Sequence, residues 1–152
     1  MNSTPFNPKA HLITIKTKQG DQPYLPVAWR LVWFRSACPD GTITTEMVHF
    51  DPNRDTEEEA WVWNDERKRK ERVVRHAPGF VVFKATVQDG KGGAATAYKS
   101  EKAASFPDFI EKCETGAVGR ALAMLGYAPQ YTNEFDERID DYTLPPQGDR
   151  RR

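Results

Sequence analysis

The sequence predicts an α+β fold: a small antiparallel β-sheet of three or more strands packed against a long C-terminal amphipathic helix, with an additional N-terminal helix. Three observations carry this expectation. Apolar or small residues recur at helical spacing at Phe106, Phe109, Ile110, Cys113, Ala117, Ala121, Met124 and Leu125, which places one stripe on a core. Residues 80–87 alternate, with Val81, Phe83, Ala85 and Val87 on one side and Val82, Lys84 and Thr86 on the other. The loop Asp89-Gly90-Lys91-Gly92-Gly93 then returns the chain as a hairpin.

The elements follow in order. Residues 1–10 read as an unstructured lead-in, residues 12–16 as a short edge strand, and residues 20–23 as a turn. In LPVAWRLVWFRSAC, Pro26 suits a first helical turn, and Leu25, Ala28, Trp29, Val32 and Trp33 can share a face. A helix is preferred there, and a strand stays open because Val, Trp and Phe also favour strands. Cys38-Pro39-Asp40-Gly41 is a turn, and the β-branched residues of 42–50 make a strand. Residues 51–72 read as a long charged connection holding a short helix around 57–70. After the strand at 80–87 comes the returning strand at 94–99. The last helix spans 105–125, with Ser105 and Asp108 at its start and Gly126 as its stop. Gly116 and Gly119 each cost that helix about 1 kcal/mol relative to alanine, which points to close backbone approach by another element or a ligand. Residues 1–130 are therefore expected to form one core domain, and residues 131–152 a polar, acidic, disordered tail.

Composition sets outer limits. The 152 residues are 38% hydrophobic with a mean hydropathy of −0.73, enough for one solvated domain. No apolar run approaches the roughly 20 residues of a membrane span. The opening MNSTPFNPKAHL lacks the regions of a signal peptide, so a cytoplasmic location without membrane partners is expected. Cys38 and Cys113 then read as buried thiols rather than a disulfide. The formal net charge of zero hides blocks: residues 51–66 sum to −6 and residues 67–75 to +5. These blocks either present a basic surface or form a solvated loop whose acidic and basic halves pair with each other.

The sequence does not suggest an enzyme. His11, His49 and His76 stand in no metal-ligand pattern, and no zinc motif, P-loop or nucleophile elbow is present. No metal and no cofactor are expected. A metal-dependent nuclease on His49 and Asp51 is the weakest reading. Binding is better supported, because cations interleave with aromatics along the chain, as single-stranded nucleic acids require. The tryptophans at 29 and 33 fit a buried face as well as a stacking platform. Arg120, flanked by Gly119 and Ala121, can reach a phosphate or pair with Glu114 or a tail acid.

The run IEKCETGAVGRALAMLGY, residues 110–127, resembles the signature helix of the Erf and Rad-fifty-two superfamily of single-strand annealing proteins, which includes phage recombination proteins and DdrA-like bacterial proteins. The typical pattern is close to E-K-A-E-T-x-A-I-G-R-A-L-A-x-L-G-[YF]. Cys113 replaces the usual alanine, and Ala123 and Met124 stand where some relatives carry further bases. Residues 24–31, 79–86 and 93–102 resemble flanking parts, so the likeness spans roughly residues 10–130. The resemblance implies binding of single-stranded DNA in a basic groove and ATP-independent annealing of complementary strands in homologous recombination and DNA repair. It implies a homo-oligomeric ring or helical filament, and partners such as a single-strand-binding protein or an exonuclease. By position it nominates Tyr24, Arg30, Lys102 and Arg120 for the groove, to which placement alone adds Lys16, Lys18, Lys84 and Lys99. The alternative is a protein-interaction or structural module of a recombination complex with little DNA affinity of its own, motivated by the acidic tail and the neutral net charge.

Overall fold

A computed structural model describes residues 4–17 and 19–131. The tail expected at 131–152 lies outside the described residues from position 132 onward, as does Lys18. The chain runs through a short 3₁₀ turn (Pro8–His11), β1 (Ile13–Thr17), β2 (Gly20–Tyr24), α1 (Val27–Ala37), β3 (Thr42–Asn64), β4 (Arg69–Gln88), β5 (Ala94–Lys102), α2 (Phe109–Leu125) and a second 3₁₀ turn (Pro129–Tyr131). β1 and β2 form a two-stranded sheet, and β3, β4 and β5 a three-stranded antiparallel sheet in that order.

This corrects the α+β expectation. The architecture is mostly β: strands of 23, 20 and 9 residues against helices of 11 and 17. Nor, among the described residues, is there a long C-terminal amphipathic helix resting by one stripe on a small sheet. α2 begins four residues later than expected, at Phe109. Ser105 does not cap it but donates its hydroxyl to Glu58 Oε2 at 3.3 Å. Seven of its residues are buried (Cys113, Ala117, Val118, Gly119, Ala121, Leu122 and Ala123), too many around the axis for a single stripe. It touches β4 and β5 on one side and α1 on another.

The largest departure is at 51–78. No helix forms there; β3 and β4 continue past the body of the sheet as a two-stranded arm closed by a turn at 65–68, pairing Asp55 with Pro78 through Asn64 with Arg69. The acidic stretch and the basic stretch are opposite strands of one hairpin. Their side chains pair across the strands as Arg72 with Glu59 and His76 with Glu57, so the acidic and basic halves do meet each other. At the tip, Asn64 Oδ1 accepts from the Glu66 and Arg67 amides at 3.0 and 3.1 Å. At the base, the buried Thr56 hydroxyl donates to the Ala77 carbonyl at 2.6 Å and accepts from the Ala104 amide at 3.0 Å. Two further expectations change: residues 20–23 are strand rather than turn, and the lead-in carries a 3₁₀ turn on which Phe6 stacks against His11 and Trp33.

Other local signals hold. α1 is helical, and Gly41 N–H closes the Cys38–Gly41 turn at 2.9 Å. Gly126 ends α2 at φ +115°, where its missing Cβ removes the left-handed penalty. Cys38 and Cys113 are reduced and buried. The core joins Phe34 of α1, Val81, Phe83, Ala85 and Val87 of β4, Ala97 of β5, and Cys113, Ala117, Ala121 and Leu122 of α2. Both helices therefore meet the same face of the three-stranded sheet. Cys38 Sγ and Tyr127 Oη share a hydrogen bond at 2.9 Å beside this core, and burial first, then that bond, push the Tyr127 hydroxyl up to about 12.

Candidate nucleic-acid interface

The helical glycines organise the region around Arg120. A Cβ on Gly119 would sit 2.7 Å from Val27 Cγ2 and 3.1 Å from Arg30 Nη1, so α1 crosses α2 at backbone distance. A Cβ on Gly116 would sit 3.1 Å from Lys99 Cγ, because the aliphatic stem of Lys99 lies across the helix there. Both glycines thus serve packing against other elements, as their helical cost suggested. Lys112, Gly116 and Arg120 are spaced i, i+4, i+8 and share one side of α2, with a rise of about 6 Å per step. Lys99 leans into the gap at Gly116, so Lys112, Lys99 and Arg120 form one cationic ridge along the α2–β5 flank. Lys112 is exposed, and its ammonium lies 4.8 Å from the centre of the Phe106 ring. Lys99 and Arg120 are half-buried, and Lys99 Nζ lies 3.8 Å from Glu101 Oε1. Against phosphates such a ridge contributes through charge, and its exposed end is only weakly committed to protein partners.

The remaining nominated residues lie elsewhere. Arg30 is fully buried: its Nε–H donates to the Leu25 carbonyl at 2.8 Å and Nη1–H to the Gly119 carbonyl at 3.0 Å. Its guanidinium also sits 5.2 Å from the Tyr24 ring centre. Arg30 and Tyr24 together lock β2, α1 and α2, an internal role rather than a surface one. Lys16 is exposed on β1. Lys102 Nζ meets Glu58 Oε2 at 2.8 Å at the base of the arm; that bond and the Lys102 charge hold the Glu58 carboxyl below its ordinary range. Lys84 lies on the sheet face opposite α2, with Glu46 on β3 and the exposed Tyr98 on β5 as its cross-strand neighbours.

The structure thus lays Lys99 over Gly116, four residues along α2 from both Arg120 and Lys112, and so adds Lys112 to the nominated cations. The i, i+4, i+8 spacing of 112, 116 and 120 was the signal that could have selected it. Between α1, α2 and β3 lies a groove of about 370 Å³ lined by Val27, Leu31, Ile43, Glu114 and Val118 among others, with Glu114 accepting from the Thr45 hydroxyl at 2.9 Å. Among the described residues no three His, Cys, Asp or Glu side chains converge as metal ligands, and no described helix is long and apolar enough to cross a membrane.

No curated protein and no solved structure matches this chain. One family model does: residues 69–125, which take in β4, β5 and α2, are similar to the Slr1353 N-terminal dsRNA-binding domain-like family.

Proposed function

We propose that this chain binds nucleic acid through the sugar–phosphate backbone, and that it holds single-stranded DNA for ATP-independent annealing, in an assembly of several copies and without a covalent step of its own. The observation that carries the reading is the cationic ridge Lys112–Lys99–Arg120 on the α2–β5 flank. The similarity of residues 69–125 to a family described as dsRNA-binding domain-like supports the coarser part, nucleic-acid binding. The resemblance of the helix sequence to annealing proteins supports the finer part.

A backbone contact weakens steeply with salt, with a slope of about −0.7 per phosphate on single strands. The test is anisotropy of a labelled 30-nucleotide single strand between 50 and 200 mM salt. Wild-type protein should bind with a salt-dependent affinity. Arg120→Ala with Lys112→Ala should weaken binding about tenfold or more without a change in the far-ultraviolet spectrum. Binding that ignores salt, or ignores both substitutions, refutes the ridge. Annealing is read separately, as faster pairing of complementary labelled strands.

A second reading is duplex RNA, favoured by the matched family's description. The same titration with a 20-base-pair RNA duplex separates the two. Preference for the duplex, with no acceleration of pairing, decides for RNA.

A further inference from the structure

The arm formed by the far ends of β3 and β4 carries an arrangement that the ridge does not use. Trp61 is 69% exposed and Trp63 is 56% exposed, the two most solvated large apolar side chains on the described surface. They are two residues apart on one strand, so both project from the same face, about 7 Å apart. The register places Trp61 opposite Arg72 and Trp63 opposite Lys70. Directly opposed residues share a face about 5 Å apart. That face therefore alternates indole, guanidinium, indole and ammonium. The Trp63 Nε1–H donates to Asp65 Oδ1 at 3.4 Å, which orients one ring at the tip.

Charge is divided along the arm. Residues 60–72 hold Arg67, Lys68, Arg69, Lys70 and Arg72 against Asp65, Glu66 and Glu71, a net of +2. Nearer the body, Asp55, Glu57, Glu58 and Glu59 outnumber the bases. A polyanion is attracted to the tip half and repelled from the base half. The ion pairs on the arm are exposed and individually weak, so phosphates can displace them: the side chains of Arg67, Lys68 and Arg69 are 65%, 72% and 63% exposed within their pairs.

We propose that the distal half of this hairpin is a second contact for a single-stranded polynucleotide, in which Trp61 and Trp63 stack unpaired bases and Lys70 and Arg72 meet the adjoining phosphates. This rests on the reading of the chain as a nucleic-acid-binding protein and names a further surface for it. Base–aromatic stacking is sequence-tolerant and needs an accessible ring face, which both indoles present. A purely apolar docking surface would not need cations opposite each ring.

The experiment uses the full chain and a labelled 30-nucleotide oligothymidine at 50 mM salt. Trp61→Ala with Trp63→Ala should weaken binding at least tenfold, and Trp61→Phe with Trp63→Phe should stay within threefold of wild type. Lys70→Gln should reduce the salt slope by about 0.7, one phosphate's share on a single strand. A loss below threefold in the double alanine variant, with wild type binding normally, overturns the arm contact and leaves the ridge standing. Failure of wild type to bind any nucleic acid overturns both. Light scattering on nucleic-acid-free protein covers the remaining case: a change of particle mass in the double alanine variant makes the arm a contact between copies and overturns the proposal.

Discussion

Alanine at Gly119 tests whether the crossing of α1 over α2 is what requires a glycine there. The new Cβ would lie 2.7 Å from Val27 Cγ2, well inside the 3.5–4.0 Å of ordinary carbon contact. Val27 is β-branched and begins α1, so it has little rotamer freedom with which to move aside. α1 must back away by about 1 Å, a forced repacking that costs about 1–3 kcal/mol. The retreat also stretches the 3.0 Å bond from Arg30 Nη1–H to the Gly119 carbonyl, and a hydrogen bond to a charged group is worth about 1.5–3 kcal/mol when fully lost. Against this, alanine gains about 1 kcal/mol of helix propensity. The expected net loss is about 2 kcal/mol, or a Tm lower by about 4–8 °C. Gly116→Ala is the control. Its Cβ meets only the flexible stem of Lys99, so the propensity gain survives and stability should rise by about 0.5–1 kcal/mol. Urea denaturation of both variants against wild type decides the matter. A Gly119→Ala midpoint at or above wild type, or a larger loss in Gly116→Ala, refutes the packing account.

Three further outcomes are expected. Arg30→Met removes two charge-assisted bonds to buried carbonyls and should cost about 3–5 kcal/mol in urea denaturation, so any loss of nucleic-acid binding would track unfolded protein rather than a missing phosphate contact. Thr56→Val strips the Ala104 amide of its acceptor and should cost about 1–3 kcal/mol, with faster amide exchange at Ala104 and at the base of the arm. Asp89 is held below its ordinary carboxyl range by the Lys91 amide first and the Gly93 amide second. A depressed folded pKa contributes stability above the unfolded carboxyl value and loses it as the pH falls through the folded one. Asp89→Asn should therefore lower the urea midpoint at pH 7, and the difference from wild type should shrink below about pH 4.

Much of the candidate site could be read as residues but not as a surface. The sequence nominates both Arg120 and Lys99, and the structure lays the Lys99 stem against Gly116, one turn of α2 before Arg120. Lys84 was chosen with them and sits on the opposite sheet face, since strand parity assigns a side but not which side the helix covers. Arg30 looked like a groove cation and is a buried lock between elements, a role fixed by carbonyls at Leu25 and at Gly119, 89 residues away. The indoles at 61 and 63 are not legible as a surface in the sequence, because a hairpin solvated on both faces carries no apolar alternation to mark it as strand.

By itself the sequence determined what local sterics and short-range hydrogen bonds control. The Cys38–Gly41 turn, the Asp89–Gly93 hairpin, the β4 alternation and the glycine stop at 126 are properties of a few neighbouring residues. Only the tertiary structure decided that acidic residues 55–64 and basic residues 69–78 are partner strands, that sheet dominates the fold, and which cations share a surface. Those outcomes depend on which distant segments pair. Pairing is settled by the summed free energy of many contacts, which no single window of sequence contains.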